Sequence, residues 1–243
     1  MSNSIPMKNY VPYISILFVV LLYSCKKDEA TKPKVIYETT SKSKSETPVD
    51  TSQIEVADLP INMEGTNYLI YPIGAMSGAG KGIKYNDSGQ SFTISNYGEY
   101  QITGYLKNFK FQEIGKDTLI SLTDKPAFIQ TATYLKNFAD KTKQQLMIYS
   151  LADMDTNKDG KMDSNDIESL YISTISGQKF TKLSADYQEL IDWKVIESKN
   201  LLYFRTIEDA SKNGQFSSND IVHYFYLPLD GKEWKATEFF PLK

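Results

Sequence analysis

The densest run of possible metal donors in the chain is Asp155-Thr-Asn157-Lys-Asp159-Gly160-Lys161-Met162-Asp163-Ser-Asn-Asp166, which carries four carboxylates and two side-chain amide oxygens over this stretch. A hard cation takes six to eight oxygens, and side chains at alternate positions can supply them while the backbone curls round the ion. Carboxylates crowded into one turn repel one another, and a divalent ion removes that repulsion. Ligands that are all oxygen favour Ca²⁺ over zinc, and a pliable loop favours Ca²⁺ over the strictly octahedral Mg²⁺. A second run follows at an offset of 54 (209 − 155): Asp209-Ala-Ser211-Lys-Asn213-Gly214-Gln215-Phe-Ser217-Ser-Asn-Asp220. Ser-Asn-Asp-Ile closes both runs, at 164–167 and 218–221. The second has only two carboxylates, Asp209 and Asp220. Charge count tunes affinity, so it is expected to be the weaker site or simply a polar turn.

The first run resembles the loop of EF-hand proteins. On that resemblance Asp155, Asn157 and Asp159 take the first, third and fifth positions. Gly160 makes the sharp turn, Lys161 offers its backbone carbonyl, and Met162 is the inward apolar residue. Asp163 is a direct or water-bridged ligand, and Asp166 closes the site where the family has a bidentate glutamate. The corresponding donors of the second loop are Asp209, Ser211, Asn213, Gln215, Ser217 and Asp220. True EF-hands place helices on both sides. Here Gln145–Leu151 and Ser169–Ile175 read as strands, so the resemblance implies the loop chemistry without a helix-opening switch.

The elements that must hold these loops are short apolar and aromatic runs punctuated by Gly, Asn and Asp. Residues 69–73, 91–95, 99–106, 118–122, 128–135, 145–151, 169–175, 190–196, 201–207, 222–229 and 233–240 read as strands, with no convincing helical periodicity. Leu69-Ile-Tyr71, Met147-Ile-Tyr149 and Leu201-Leu-Tyr203 each open a unit that runs to a Gly turn and an aromatic: Gly89…Phe92, Gly177…Phe180 and Gly231…Trp234. Gly115 marks a fourth hairpin, and Tyr97-Gly-Glu99 matches Tyr187-Gln-Glu189. Tyr149 to Tyr203 and Gly177 to Gly231 share the offset of the loops, so the unit as a whole is duplicated. Ser169–Ser184 resembles the strand–turn–strand of TolB-type propeller repeats, with Ser184-Ala-Asp186-Tyr where those repeats have Ser-Pro-Asp-Gly. The expected fold is all-β: a propeller-like stack of small antiparallel sheets over residues 56–243, with a β-sandwich as the alternative.

Other chemistry is sparse. One cysteine excludes an internal disulfide and any CxxC zinc or redox site, and His223 is the single histidine. The net charge of −3 is spread along the chain, with no basic stripe for nucleic acid. Glu99, Asp117, Glu189 and Asp192 are candidate acids for a glycoside hydrolase working through paired carboxylates, but nothing in the spacing singles out a pair. No catalytic residue is assigned and the chain is not expected to be an enzyme. Trp193 and Trp234 could stack on a glycan or a peptide, and cross-strand packing is the simpler role for both.

The first residues differ from all the rest. Lys8 is the only charge before Cys25, and Val11–Tyr23 is almost wholly apolar, the length of a signal-peptide core and too short to span a bilayer. Leu22-Tyr23-Ser24-Cys25 resembles the lipobox of bacterial lipoproteins, with Tyr23 where a small or branched residue is usual. That resemblance implies removal of residues 1–24 and a diacylglycerol with acyl chains such as palmitate on Cys25. Lys26-Lys-Asp-Glu29 resembles the acidic tags that send some lipoproteins to the cell surface, so an outer-membrane or surface location is expected. The mature chain carries −4 (26 − 30), since only Lys8 is lost with the leader. Residues 25–55 are rich in Lys, Ser, Thr, Glu and Pro and read as a disordered tether. The expected role is a membrane-anchored binding or scaffold module for a glycan or protein ligand, stabilised by calcium.

Overall fold

A computed structural model describes residues 33–37, 53–77 and 93–243. The signal peptide, Cys25 and the Gly89…Phe92 turn lie outside them. Among the described residues the strands are β1 (Gln53–Ala57), β2 (Ile61–Asn62), β3 (Tyr68–Ser77), β4 (Ser95–Gly98), β5 (Gln101–Glu113), β6 (Leu119–Ser121), β7 (Phe128–Tyr134), β8 (Leu146–Ala152), β9 (Ser169–Thr174), β10 (Thr181–Lys182), β11 (Gln188–Ile196), β12 (Leu201–Glu208), β13 (Ile221–Pro228) and β14 (Thr237–Phe239), with a helix, α1 (Lys136–Thr142), between β7 and β8. All pairings are antiparallel. Ten strands form one sheet with the central order β1-β3-β5-β7-β8-β9-β10, and β11-β12-β13-β14 form a second.

The protein is thus all-β. The meanders β7–β10 and β11–β14 share one apolar core, as a stack of small antiparallel sheets requires, and the longer sheet runs on to β1 without closing into a barrel. β8 lies at the centre because every residue in it is apolar or small, so both its faces can be buried. Met147, Tyr149 and Leu151 point to a core shared with Ile70, Phe109 and Phe111 of β3 and β5. Leu146 and Ile148 point the other way, to Leu202, Phe204 and Leu227 of the second sheet. The alternation follows from the two-residue period of a strand. Fully buried Tyr149 keeps its hydroxyl satisfied by Ser173 Oγ at 2.8 Å. Gly177 turns β9 into β10 at φ 76°, and a Cβ there would meet the Phe111 ring at 2.4 Å, so only glycine fits.

The duplicated unit is visible in the topology: β8-loop-β9-β10 repeats as β12-loop-β13-β14. The repeats differ by one residue. Tyr149 pairs with Tyr171 (171 − 149 = 22), whereas Tyr203 pairs with Tyr226 (226 − 203 = 23). Burial differs as well: Tyr149 lies under the long sheet, while Tyr203 packs with Tyr226 and Phe239 on the second sheet, half-buried.

Several sequence expectations need correction. The structure contains a helix, α1, which buries only Phe138 and Ala139; one turn or two of helix cannot display a periodic pattern. β14 covers only 237–239 of the expected 233–240, and of 91–95 only Ser95 belongs to a strand, residues 91–92 lying outside the described part. Gly115 turns the β5–β6 hairpin at φ 88°, but Gly231 does not adopt positive φ. Glu99 sits in the β4–β5 turn at φ 50°, whereas Glu189 lies within β11, so their tripeptides are not structural equivalents. Finally, the segment read as a tether is not disordered throughout: residues 33–37 are packed against the domain and 53–55 belong to β1.

Candidate functional site

The two acidic runs are the β8–β9 and β12–β13 connections, so strands flank both, as the sequence implied. Their backbones curl alike. Lys158 and Lys212, at matching positions, take φ 57° and 53°, and Gly160 and Gly214 take 83° and 80°. Asp155 accepts the Asp159 and Gly160 N–H groups at 3.2 and 2.9 Å; Asp209 accepts those of Asn213 and Gly214 at 3.2 and 2.6 Å. Lys161 N–H reaches Asp159 Oδ1 and Gln215 N–H reaches Asn213 Oδ1, both at 2.8 Å. Asp163 N–H reaches Asp166 Oδ2 at 3.0 Å, and Ser217 N–H reaches Asp220 Oδ2 at 2.7 Å. Each acceptor is a short Asp, Asn or Ser side chain able to fold back on its own turn, so the spacing itself dictates the curl.

Asp155, Asn157 and Asp159 are brought together: Asp159 N–H is shared by Asp155 Oδ1 and, at 2.9 Å, Asn157 Oδ1. Asp163 joins Asp166 through its backbone. Closure differs between the loops. Asp166 is buried, and its Oδ1 accepts the Thr156 N–H at 2.8 Å and the Asn157 N–H at 3.3 Å. Burial holds its carboxyl above the usual aspartate range, the backbone donors of Asp163, Asn157 and Thr156 opposing and the Asp155 charge adding. In the second loop Ala210 stands in place of Thr156, and Asp220 Oδ1 is buried without a hydrogen-bond partner. Burial works against ionisation of Asp209, but the donors Gly214, Ser211, Asn213 and Tyr37 outweigh it and keep that carboxyl below the usual range.

Among the described residues no three His, Cys, Asp or Glu side chains converge as metal ligands. An EF-hand-type donor set draws also on amide and backbone oxygens. In the first loop these would be Asn157 and the Lys161 carbonyl beside Asp155, Asp159 and Asp163. Asp155 and Asp166 each accept backbone N–H groups at both oxygens. The candidate donors of the first loop are all oxygen, the type a hard cation takes, and in the second loop Asp220 Oδ1 is left without a partner.

Pro33–Tyr37 runs between the two loops. Lys34 N–H donates to Asn165 O at 3.2 Å, Val35 N–H to Gly214 O at 3.2 Å and Ile36 N–H to Thr156 O at 2.9 Å. Thr156 Oγ1 donates back to Lys34 O at 3.1 Å. Val35 is 3% exposed. Tyr37 packs on Tyr187 and donates to Asp209; burial first, then that carboxylate, push its hydroxyl up to about 12. Sequence reasoning missed this segment. The local signal was Val35-Ile36-Tyr37, three successive β-formers inside a polar stretch.

The candidate acids fall in separate surroundings. Asp192 is locked to Arg205 through both oxygens, Glu99 lies in a turn, and Asp117 is exposed after β5. Glu189 accepts the Glu168 N–H at 2.7 Å. Burial pushes its carboxyl up to about 8, with the neighbouring Glu168 charge adding and that N–H opposing. Burial likewise raises Glu168, opposed by the Ser150 hydroxyl. His223 sits between Glu238 at 2.7 Å and Glu208 at 3.1 Å. Trp193 and Trp234 pack on the core between the sheets. An open cleft of about 530 Å³ beside α1 is lined by Trp193, Tyr100, Tyr134, Glu99, Gln101 and Asn137, among others. Among the described residues no helix is long and apolar enough to cross a membrane. No protein-family model, curated protein or solved structure shows a significant match to this chain.

Proposed function

We propose that the protein is a lipid-anchored component of the bacterial outer membrane or cell surface, whose β domain serves as a binding or scaffold module stapled by Ca²⁺. The observation that carries this reading is the shared curl of the two acidic loops, in which each opening carboxylate is turned inward by backbone N–H groups of its own loop. Asp155, Asn157, Asp159, Asp163, Asp166 and the Lys161 carbonyl would hold the ion in the first loop, with Asp166 closing it. Bound Ca²⁺ would neutralise crowded carboxylates and resist opening of the β8–β9 connection. Ser211, Asn213, Gln215 and Ser217, with Asp209 and Asp220, form the weaker counterpart. The cleft beside α1, with Trp193 and Tyr100 next to amide and carboxylate groups, suits a glycan better than an apolar ligand.

An ion that binds only the folded form stabilises it by RT ln(1 + [L]/Kd), or about 1.4 kcal/mol at tenfold excess. The domain should melt higher in millimolar Ca²⁺ than in chelator. Asp155→Ala should remove most of the difference and Asp209→Ala little of it. Equal melting in Ca²⁺ and chelator would leave two polar turns and no staple. The alternative, a carboxylate-based hydrolase, draws on the Glu168–Glu189 neighbourhood; loss of a measured glycosidase activity in Glu189→Gln would favour it.

A further inference from the structure

We infer that residues 33–37 are a strap that moves the domain's point of attachment from β1 to the loop-bearing end and holds that end toward a lipid surface. The inference rests on the Cys25 anchor proposed above. Three backbone hydrogen bonds, one side-chain bond and buried Val35 fix the strap to both loops at once. The fit is close: a Cβ on Gly214 would stand 2.4 Å from the Val35 carbonyl oxygen. Eight residues separate Cys25 from Pro33 (33 − 25). Whatever path they take, they reach no farther than about 28 Å at roughly 3.5 Å per residue. Were β1 the first fixed point, the interval would be 28 residues (53 − 25), with a reach of about 100 Å. The strap therefore cuts the reach more than threefold. The loop tips at that end expose Lys161 and Lys212 beside Asp159, with Ile36 half exposed next to them.

The test uses the chain from Cys25, coupled through that single cysteine to a maleimide lipid in a supported bilayer, with neutron reflectometry reading the height of the protein layer. One variant carries twelve Gly/Ser residues inserted between Thr31 and Lys32, the other carries the same insert between Ser45 and Glu46. With the strap seated, the first insert should move the layer outward by about 10 Å, from coil dimensions of about 5.5 Å × √n, and the second should leave it in place. Val35→Asp should make the second insert as effective as the first. Equal shifts from both inserts in the unsubstituted chain, or no shift from either, would overturn the strap. The two insertions carry the test without Val35→Asp. Mass spectrometry of Cys25 in the natural membrane product judges the anchor separately, because chemical coupling reports on the strap whether or not the cell lipidates that residue.

Discussion

Gly214→Ala probes the junction of loop and strap most sharply. Gly214 sits at φ 80°, where an L side chain costs about 1–2 kcal/mol. The added methyl would also stand 2.4 Å from the Val35 carbonyl oxygen. That neighbour is backbone, so no rotamer change relieves the clash; the strap must lift or the loop must shift. Lifting it breaks the bonds from Lys34, Val35 and Ile36 to Asn165, Gly214 and Thr156 and exposes Val35. Backbone entropy regained by the freed segment offsets part of that loss. The measurable quantity is therefore a coupling. In a chain with residues 33–37 deleted, Gly214→Ala should cost only the backbone strain, about 1–2 kcal/mol. In the complete chain it should cost about 1 kcal/mol more, within the usual range for groups in direct contact. Urea unfolding of the four proteins gives both values. Identical costs with and without the strap would refute the packing argument.

Two further outcomes follow from particular side chains. Glu189, raised to about 8 in the folded protein against an ordinary 4.5, binds its proton more tightly folded than unfolded; stability should fall as pH rises between those values, and Glu189→Gln should lessen the fall of urea midpoints over that window, buried Glu168 keeping part of it, and raise them at its upper end. At the N-terminus, mass spectrometry should find a diacylated Cys25, and Cys25→Ala should release the protein from membranes; an intact Met1 would end the lipoprotein reading.

The parts of this architecture visible in the sequence are those with local causes. β8 and β12 were legible because their apolar runs report burial directly, and the loops because Asp, Asn and Gly recur at fixed spacing. The second half of β5 was missed although Phe109 and Phe111 alternate with Lys110 and Gln112; Lys107 and Asn108 interrupt the run. The strap was invisible for another reason. Thr156 Oγ1 meets Lys34 O across 122 residues, and Val35 is buried by two loops that no local pattern could have placed beside it. Nor could spacing reveal that Asp166 would be consumed by backbone donors while its counterpart Asp220 keeps a free oxygen.

Isothermal titration calorimetry of Ca²⁺ into the chelator-stripped chain from Cys25 decides whether the proposed Ca²⁺ staple forms at the end of the β domain. One principal site per chain is expected, with a dissociation constant of about 10⁻⁴ to 10⁻³ M, as in extracellular modules. Asp159→Ala should abolish it and Asp209→Ala should leave it. A titration without binding heat at several temperatures, or a principal site that survives Asp159→Ala, would leave the first loop a polar turn without a metal.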